Sequence, residues 1–406
     1  MSAEHEKLDF SDINLRANVL QSLGWEVKKF RHAWIMVIGA GALGNEVLKN
    51  LALIGVGNIL LVDFDVVEHS NLARSVLYRE SDCTGDQLKV DVAARRLRDL
   101  NPDLNVVTIN GDISIDVGWG VFRRMDVIIG CVDNRLARLY INRIAHRLGK
   151  TWIDGGIVDL GGQMNVFTPG ISCYECSLSE KAWKIINFRM GCADRAMRYA
   201  SSGQANTIPI TASIIGAAQV QEALKVIADQ EDLPPRANQQ LYYEGLSYTY
   251  LNLPTSPLKD KCESHQRIEE LTEAPELSHQ SSIGETLNWL SATFDDPEIV
   301  IALDHTLVLE LGTEKEGKRI PIIKPRPHLR SEDMVKYALD DEDSVRVTQS
   351  TAEIGFDFPQ PELPLSAIGI PALHILKAYS NGEKKFIELS GDRSLLEAMH
   401  EPPSRS

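Results

Sequence analysis

No run of apolar residues in this chain approaches the ~20 needed to cross a bilayer. No basic, apolar leader opens it either: Met1 to Asp9 is polar and acidic, unlike a signal peptide, which predicts a cytoplasmic protein. Cations are short, with 42 Lys and Arg against 57 Asp and Glu, and the net charge of −15 argues against nucleic acid or an anionic membrane as the main partner. That charge suits a partner with a basic face, or simply a soluble surface. There is no internal repeat, no Walker A sequence, no H-E-x-x-H and no Ser-His-Asp order, which sets aside P-loop, zinc-peptidase and serine-triad chemistry. Cysteine is sparse, with six in 406 residues, at positions 83, 131, 173, 176, 192 and 262. In a reducing cytosol these read as buried fillers, metal ligands or nucleophiles rather than as disulfides.

What is present is an ordinary globular composition, 43% apolar, in a chain long enough for two or three domains. Residues 1–30 form an N-terminal helical lead, with Leu15, Val19, Leu20 and Leu23 at helical spacing. Strands and helices then alternate: strand 34–38, helix 42–54, strand 58–62, helix 86–100, strands 105–109 and 126–130, helix 134–148. This order predicts an α/β fold, a Rossmann-like doubly wound and mostly parallel sheet with its sites at the strands' C-terminal ends. Past Trp152, glycines at 155, 156, 161 and 162 surround an antiparallel strand, 163–168, that extends the sheet. A polar crossover segment covers 177–206, a long apolar helix 209–227, and further strands 240–252. Residues 31–252 thus form one domain, 253–282 a connector, and 283–406 a smaller C-terminal α+β domain with strands at 299–303, 307–311 and 385–389.

The run from Val37 to Asn45, Val-Ile-Gly-Ala-Gly-Ala-Leu-Gly-Asn, lies where the first strand must turn into a helix. Gly39 allows the tight turn, Gly41 lets backbone approach a phosphate, and Gly44 lets the helix pack on the strand. The new helix offers free N–H groups and a positive dipole end to an anion. Asp63 and Asp65 follow about 20 residues on, where a carboxylate takes ribose hydroxyls. Alone, these features favour NAD.

Three later runs change that reading: Glu68-His-Ser-Asn71-Leu-Ala-Arg74, Gly85-Asp-Gln-Leu-Lys89, and Cys131-Val-Asp133-Asn134. A dehydrogenase needs no basic pair here, whereas Arg74 and Lys89 make sense as clamps on a triphosphate. Asp133, ending a parallel strand, is placed to hold magnesium beside those phosphates. Singly, Asp133 or Asn134 reads equally well as a helix cap, Lys89 as a solvated charge and Arg74 as half of an ion pair. In this order after a glycine turn, they point to magnesium ATP.

The whole arrangement, over residues 10 to 265, closely resembles the ThiF/MoeB/ubiquitin-activating enzyme superfamily, which adenylates the C-terminal carboxylate of ubiquitin-like proteins. The resemblance implies that Gly39, Gly41 and Asp65 hold the ribose and phosphate side of ATP. It implies that Asn71, Arg74 and Lys89 address phosphates, that Asp133 holds magnesium, and that Arg16 reaches the site of a partner subunit. It further implies a homodimer, since the family builds its site at a two-fold interface.

Cys173-Tyr-Glu-Cys176 and Cys262-Glu-Ser-His265 form two knuckles whose four soft or borderline ligands suit a tetrahedral structural zinc. A lone C-x-x-C fits a redox pair or packed cysteines equally well, and the second knuckle favours zinc. The family commonly has two C-x-x-C pairs, so His265 is a departure. Cys192 stands apart, among Arg189, Arg195 and Arg198, which would lower its pKa as a nucleophile requires. Locally it reads as well as a spare buried cysteine. The run Asn187-Phe-Arg-Met-Gly-Cys192 resembles the catalytic subunits of NEDD8-activating enzymes, in the compact form of single-chain members, bacterial ones included, and so implies a thioester on Cys192. A glycine before Cys192, Ala193 in place of the usual threonine, and the lack of a large inserted cysteine domain are departures.

The resemblance therefore implies an ATP-dependent enzyme that adenylates a β-grasp protein, carries it on Cys192 and passes it to a conjugating enzyme. A MoeB-like adenylyltransferase of a sulfur-carrier protein, with no enzyme thioester, is the alternative. Residues 283–406 carry no constellation with assignable chemistry. By position and length they match the ubiquitin-fold domain with which activating enzymes often end, and a dimerisation or docking module fits equally.

Overall fold

The computed structural model describes residues 20–21, 24–191, 207–315, 317–329, 334, 336–338 and 344–400. Its frame follows from two apolar runs that form strands β1 (Trp34–Ile38) and β2 (Asn58–Asp63), buried along nearly their whole length. Strands with both faces buried demand cover on each face and fit a parallel sheet. β2 pairs in parallel with β1 and with β3 (Asn105–Asn110), and β1 also with β4 (Val127–Gly130). β5 (Trp152–Val158) adds to β4 in parallel, then turns back into β6 (Gly161–Phe167), which starts an antiparallel extension through β7 (Gln239–Glu244) and β8 (Thr249–Pro254). Among the described residues this sheet has eight strands in the order β3-β2-β1-β4-β5-β6-β7-β8. The Rossmann-like, mostly parallel sheet with an antiparallel extension is thus as the residue pattern implies.

One face is packed by helices α1 (Val27–His32), α2 (Ala42–Ile54), α3 (Lys89–Leu100) and, further on, the long apolar helix 209–228; Phe30, Leu48, Leu51, Val90, Leu97, Ile215 and Leu224 form its core. The other face is packed by α4 (Trp119–Arg123) and α5 (Arg135–Arg147), whose Trp119, Phe122, Ile141 and Ile144 meet Met36, Leu60 and Ile128. α3 starts at Lys89, not at residue 86. Gly85 and Asp86 both take left-handed backbone, at φ +74 and +51, and Leu88 bridges to Val66, so the chain turns at 85–86 and the helix begins only past that bridge. Two further helices are α6 (Glu180–Gly191), within the crossover segment, and α7 (Pro209–Ala228), which follows it. No helix among the described residues is long and apolar enough to cross a membrane.

The C-terminal unit has a second sheet, six-stranded among the described residues. β9 (Thr272–Glu273) precedes α8 (Ile283–Phe294), which a Ser282–Glu285 capping box starts. β10 (Val300–Thr313), β11 (Arg319–Pro325), β12 (Val345–Ile354), β13 (Ile375–Ser380) and β14 (Glu383–Glu388) follow, with the order β11-β10-β13-β14-β9 and β12 paired to β10. Segments 299–303 and 307–311 are one strand, β10, because a register shift between Ala302 and Leu307 bends it without breaking it. Within that shift the Asp304 side chain, 13% exposed, lies 3.3 Å from His374 Nε2 and pairs with Lys377. Burial pushes the Asp304 carboxyl up, but these two partners outweigh it and hold the group well below the usual carboxylate range.

This unit does not hang from a tether. Leu373, Ile375 and Met399 belong to the same apolar cluster as Trp119 and Phe122. The Gly120 amide donates to the Leu373 carbonyl at 2.8 Å, and fully buried Glu388 takes ion pairs from Arg123 and Arg124. The C-terminal unit therefore completes the second covering layer of the large sheet.

Candidate functional site

The glycine turn sits between β1 and α2. Gly39 takes φ +100, and its amide donates to the Val62 carbonyl at 2.8 Å. A Cβ on Gly44 would stand 1.9 Å from the Gly39 carbonyl oxygen, so helix and turn touch backbone to backbone. Gly41, the N-cap of α2, faces open space: a Cβ there would meet nothing within 4 Å. A helix start carries free backbone N–H groups and a positive dipole end. Its carbonyls are tied inward. Asn45, fully buried, donates through Nδ2 to the Ala40 carbonyl at 2.7 Å and the Gly41 carbonyl at 3.0 Å, and the Tyr78 hydroxyl donates to the Ala40 carbonyl at 2.6 Å.

Asp63 closes β2 beside this turn. Its Oδ2 accepts the Ala40 amide at 2.7 Å and its Oδ1 the Asp65 amide at 2.8 Å. Burial pushes its carboxyl up, while Lys89 draws it down. Lys89, the first residue of α3, has a side chain only 9% exposed, with Nζ 2.8 Å from Asp65 Oδ2, and Asp65 itself stands half in solvent. Asn71 is buried in the helical turn His69–Leu72, and its Oδ1 accepts the Glu68 amide at 3.0 Å. Arg74 Nη1 donates to Thr207 Oγ1 at 3.0 Å, reaching the first described residue after the crossover. The loop after β4 lies against the turn, since a Cβ on Gly39 would meet the Cys131 carbonyl oxygen at 2.6 Å. In that loop Asp133 is exposed and Asn134 caps α5, accepting the Ala137 amide at 2.8 Å. Gly39, Gly41, Gly44, Asp63, Asp65 and Lys89 thus lie together at the C-terminal ends of β1 and β2, and Asp133 lies on the loop after β4 that touches the turn through Cys131. Arg16 and Cys192 lie outside the described residues.

The two knuckles come together. The ligand atoms of Cys173, Cys176, Cys262 and His265 all lie within 4.8 Å of one another. Cys173 Sγ is 3.7 Å from Cys176 Sγ and 3.6 Å from Cys262 Sγ, and Cys176 Sγ is 3.7 Å from His265 Nε2. A tetrahedron with bonds of about 2.3 Å to sulfur has edges of about 3.8 Å, so the quartet fits zinc. A shell of hydrogen bonds fixes both knuckles to α5. Arg143 takes Glu175 with two nitrogens at 2.8 and 3.0 Å; Ser264 donates to Glu175 at 2.6 Å, and Asn142 donates to Ser264 at 2.8 Å. Burial pushes neighbouring His146 down to about 4, so this ring stays neutral beside His265, 5.4 Å away between ring centres.

The ThiF family profile matches residues 14–264. The chain belongs to the ThiF family. Relatives of this ThiF-family chain include the SAMP-activating enzyme E1 of Haloferax volcanii, 30% identical over 54% of this chain and 76% of that protein. The SUMO-activating enzyme subunit 2 of Dictyostelium discoideum is 32% identical over 39% of this chain, which spans only 24% of that longer protein. The adenylyltransferase and sulfurtransferase MOCS3 of Drosophila sechellia is 26% identical over 80% of this chain and 67% of that protein. In fold, the chain is similar to the solved structure of the microcin C7 biosynthetic enzyme MccB with N-formylated MccA, at a TM-score of 0.50 and 21% identity over 62% of this chain and 75% of that one.

In this ThiF-family chain, three residues that frame the candidate site do not stand out from spacing. Asn45 and Tyr78 hold the turn, and only the place of Asn45 directly after Gly44 hints at it. Arg138 donates to Asp154 at 2.8 Å and to the Val132 and Gly155 carbonyls at 2.7 and 2.9 Å. It thereby pins the loop that carries Asp133 onto β5.

Proposed function

We propose that this chain binds magnesium ATP across the glycine turn and adenylates the C-terminal carboxylate of a ubiquitin-like protein. The observation that carries the reading is an open helix start at Gly41 beside Asp63 and the Lys89–Asp65 pair at the C-terminal ends of the parallel strands, with exposed Asp133 on the adjoining loop. The α2 N-terminus and Gly41 backbone receive phosphate, Asp63 or Asp65 takes the ribose hydroxyls, and Asn71, Arg74 and Lys89 neutralise the triphosphate. Lys89 and Arg74 must exchange Asp65 and Thr207 for phosphate oxygens to do so. Asp133, with Asn134 beside it, would hold magnesium, which supplies charge neutralisation of the leaving pyrophosphate. A carboxylate oxygen of the partner attacks the α-phosphorus, and pyrophosphate departs, leaving an acyl adenylate. The chain's contribution to this step is positioning and fixed charge.

The same reading gives Cys192 the next step: its thiolate attacks the acyl carbon, AMP leaves, and a thioester forms for transfer to a conjugating enzyme. Arg16 would complete the site of the second copy in a homodimer, and zinc on Cys173, Cys176, Cys262 and His265 would be structural. A second reading, adenylation of a sulfur-carrier protein without an enzyme thioester, is favoured by the length of the similarity to MOCS3, 337 residues. Purified chain, ATP and candidate β-grasp proteins separate the two. Pyrophosphate exchange is expected with the true partner, along with a thiol-sensitive band on non-reducing gels that Cys192→Ala abolishes while exchange persists. Exchange with no such band in the wild type selects the sulfur-carrier reading, and no exchange with any β-grasp protein removes both.

A further inference from the structure

We infer that Asn45 is a positioning residue that sets the direction of the phosphate-facing amides, a role that rests on the nucleotide reading above. A trans peptide unit holds its C=O and its N–H on opposite sides, and the described chain contains no cis bond. The Ala40 carbonyl is held inward by two donors, Asn45 Nδ2 at 2.7 Å and the Tyr78 hydroxyl at 2.6 Å. The Gly41 amide, on the other side of that unit, must therefore point outward, to where a Cβ on Gly41 would find nothing within 4 Å. The next unit is set in the same way. The Gly41 carbonyl accepts from Asn45 Nδ2 at 3.0 Å and from the Asn45 backbone amide at 2.9 Å, which turns the Ala42 amide towards the same opening.

Asn45 also works in a second direction. Its Oδ1 accepts the Leu77 amide at 2.9 Å, in the segment that follows Arg74. One fully buried side chain thus uses its donor group on the glycine turn and its acceptor on the arginine-bearing segment. Asp63 completes the frame by accepting the Ala40 amide at 2.7 Å, so both ends of Ala40 are fixed. No alternative partner is needed to explain why an amide side chain is buried here: all of its polar atoms are used on these two segments. Serine or alanine in this place would leave the Leu77 amide and two carbonyls to reorganise, and the two halves of the phosphate site would lose their common reference.

The test compares ligands that share a nucleoside and differ in phosphate. Binding of magnesium ATP and of adenosine to the full chain is measured by calorimetry for the wild type, Asn45→Ala and Tyr78→Phe, with folding checked by circular dichroism. The expected result is a loss of about ten-fold or more in ATP affinity for Asn45→Ala, a smaller loss for Tyr78→Phe, and adenosine affinity within about two-fold of wild type in both. Equal losses for ATP and adenosine, or unchanged ATP affinity in both folded variants, overturn the inference. If Asn45→Ala does not fold, the ATP-to-adenosine ratio of Tyr78→Phe decides it alone. A wild type that binds adenosine but gains nothing from the phosphates overturns the nucleotide reading itself, which is a distinct outcome.

Discussion

A Cβ added to Gly41 meets no atom within 4 Å, whereas one added to Gly44 lies 1.9 Å from the Gly39 carbonyl oxygen. The two positions are three residues apart, and their physics differs. Gly41 has an ordinary extended backbone, at φ −76 and ψ −159, that alanine adopts without strain. Gly41→Ala should leave the melting temperature within the range of a neutral surface change, about 0.5 kcal/mol, while weakening magnesium ATP binding, because its methyl group occupies the phosphate's approach. Gly44→Ala must move α2 off the turn and should cost about 1–3 kcal/mol or more. Urea denaturation and calorimetric titration of both variants check this. Equal destabilisation by the two would mean that the open space at Gly41 is not open in solution. Lys89 belongs to this scale too: its ammonium is nearly buried and rests on Asp65, so it is held ready at the edge of the site rather than dispersed in solvent.

The Cys3His quartet joins a short helical turn after β6 to a 3-10 turn at 263–265, and α5 carries the side chains that brace both. Neither turn is long enough to stand without help: each is three or four residues, below what a helix needs for its own stability. Metal binding and local folding should therefore be one process. Chelation after thiol release, or Cys262→Ser, should remove about one zinc per chain and lower the melting temperature. It should also raise the amide exchange of residues 171–178 and 259–268 before that of β1 and β2. Zinc stoichiometry by elemental analysis and site-resolved hydrogen exchange provide the readouts. A chain purified with no zinc and the same melting temperature would leave the quartet as packed thiols and an imidazole.

Glu388 ties the molecule together. It is fully buried, belongs to β14, and is paired with Arg123 and Arg124 at the end of α4, which are 34% and 22% exposed. Removing the acid leaves Arg124 without its carboxylate and Arg123 with Glu273 alone, both with only partial access to water. Glu388→Ala should cost about 3 kcal/mol, at the lower end for a broken buried pair because both arginines reach solvent. It should also weaken the attachment of the C-terminal unit. Since Leu373, Ile375 and Met399 share a core with Trp119 and Phe122, the wild type should unfold in one transition by tryptophan fluorescence and circular dichroism. The variant should unfold in two transitions or in one earlier transition. Two well-separated transitions in the wild type would contradict a shared core.

The sequence by itself determined those features that depend on spacing along the chain. Alternating apolar runs and helical periodicities specify a doubly wound sheet, because a strand buried on both faces has few other folds open to it. The glycines at 39, 41 and 44 specify a turn, and the pairs 173/176 and 262/265 specify two knuckles, because in each case the geometry is decided within a few residues. Only the tertiary structure decided what meets across distance. The start of α3 at Lys89 follows from pairing with Val66, and the continuity of β10 from its neighbours. The second donor to the Ala40 carbonyl, beside nearby Asn45, is Tyr78, 38 residues away, and the Arg124–Glu388 pair spans 264. Such contacts leave no periodic trace, since each depends on two surfaces brought together by the packing of everything between them.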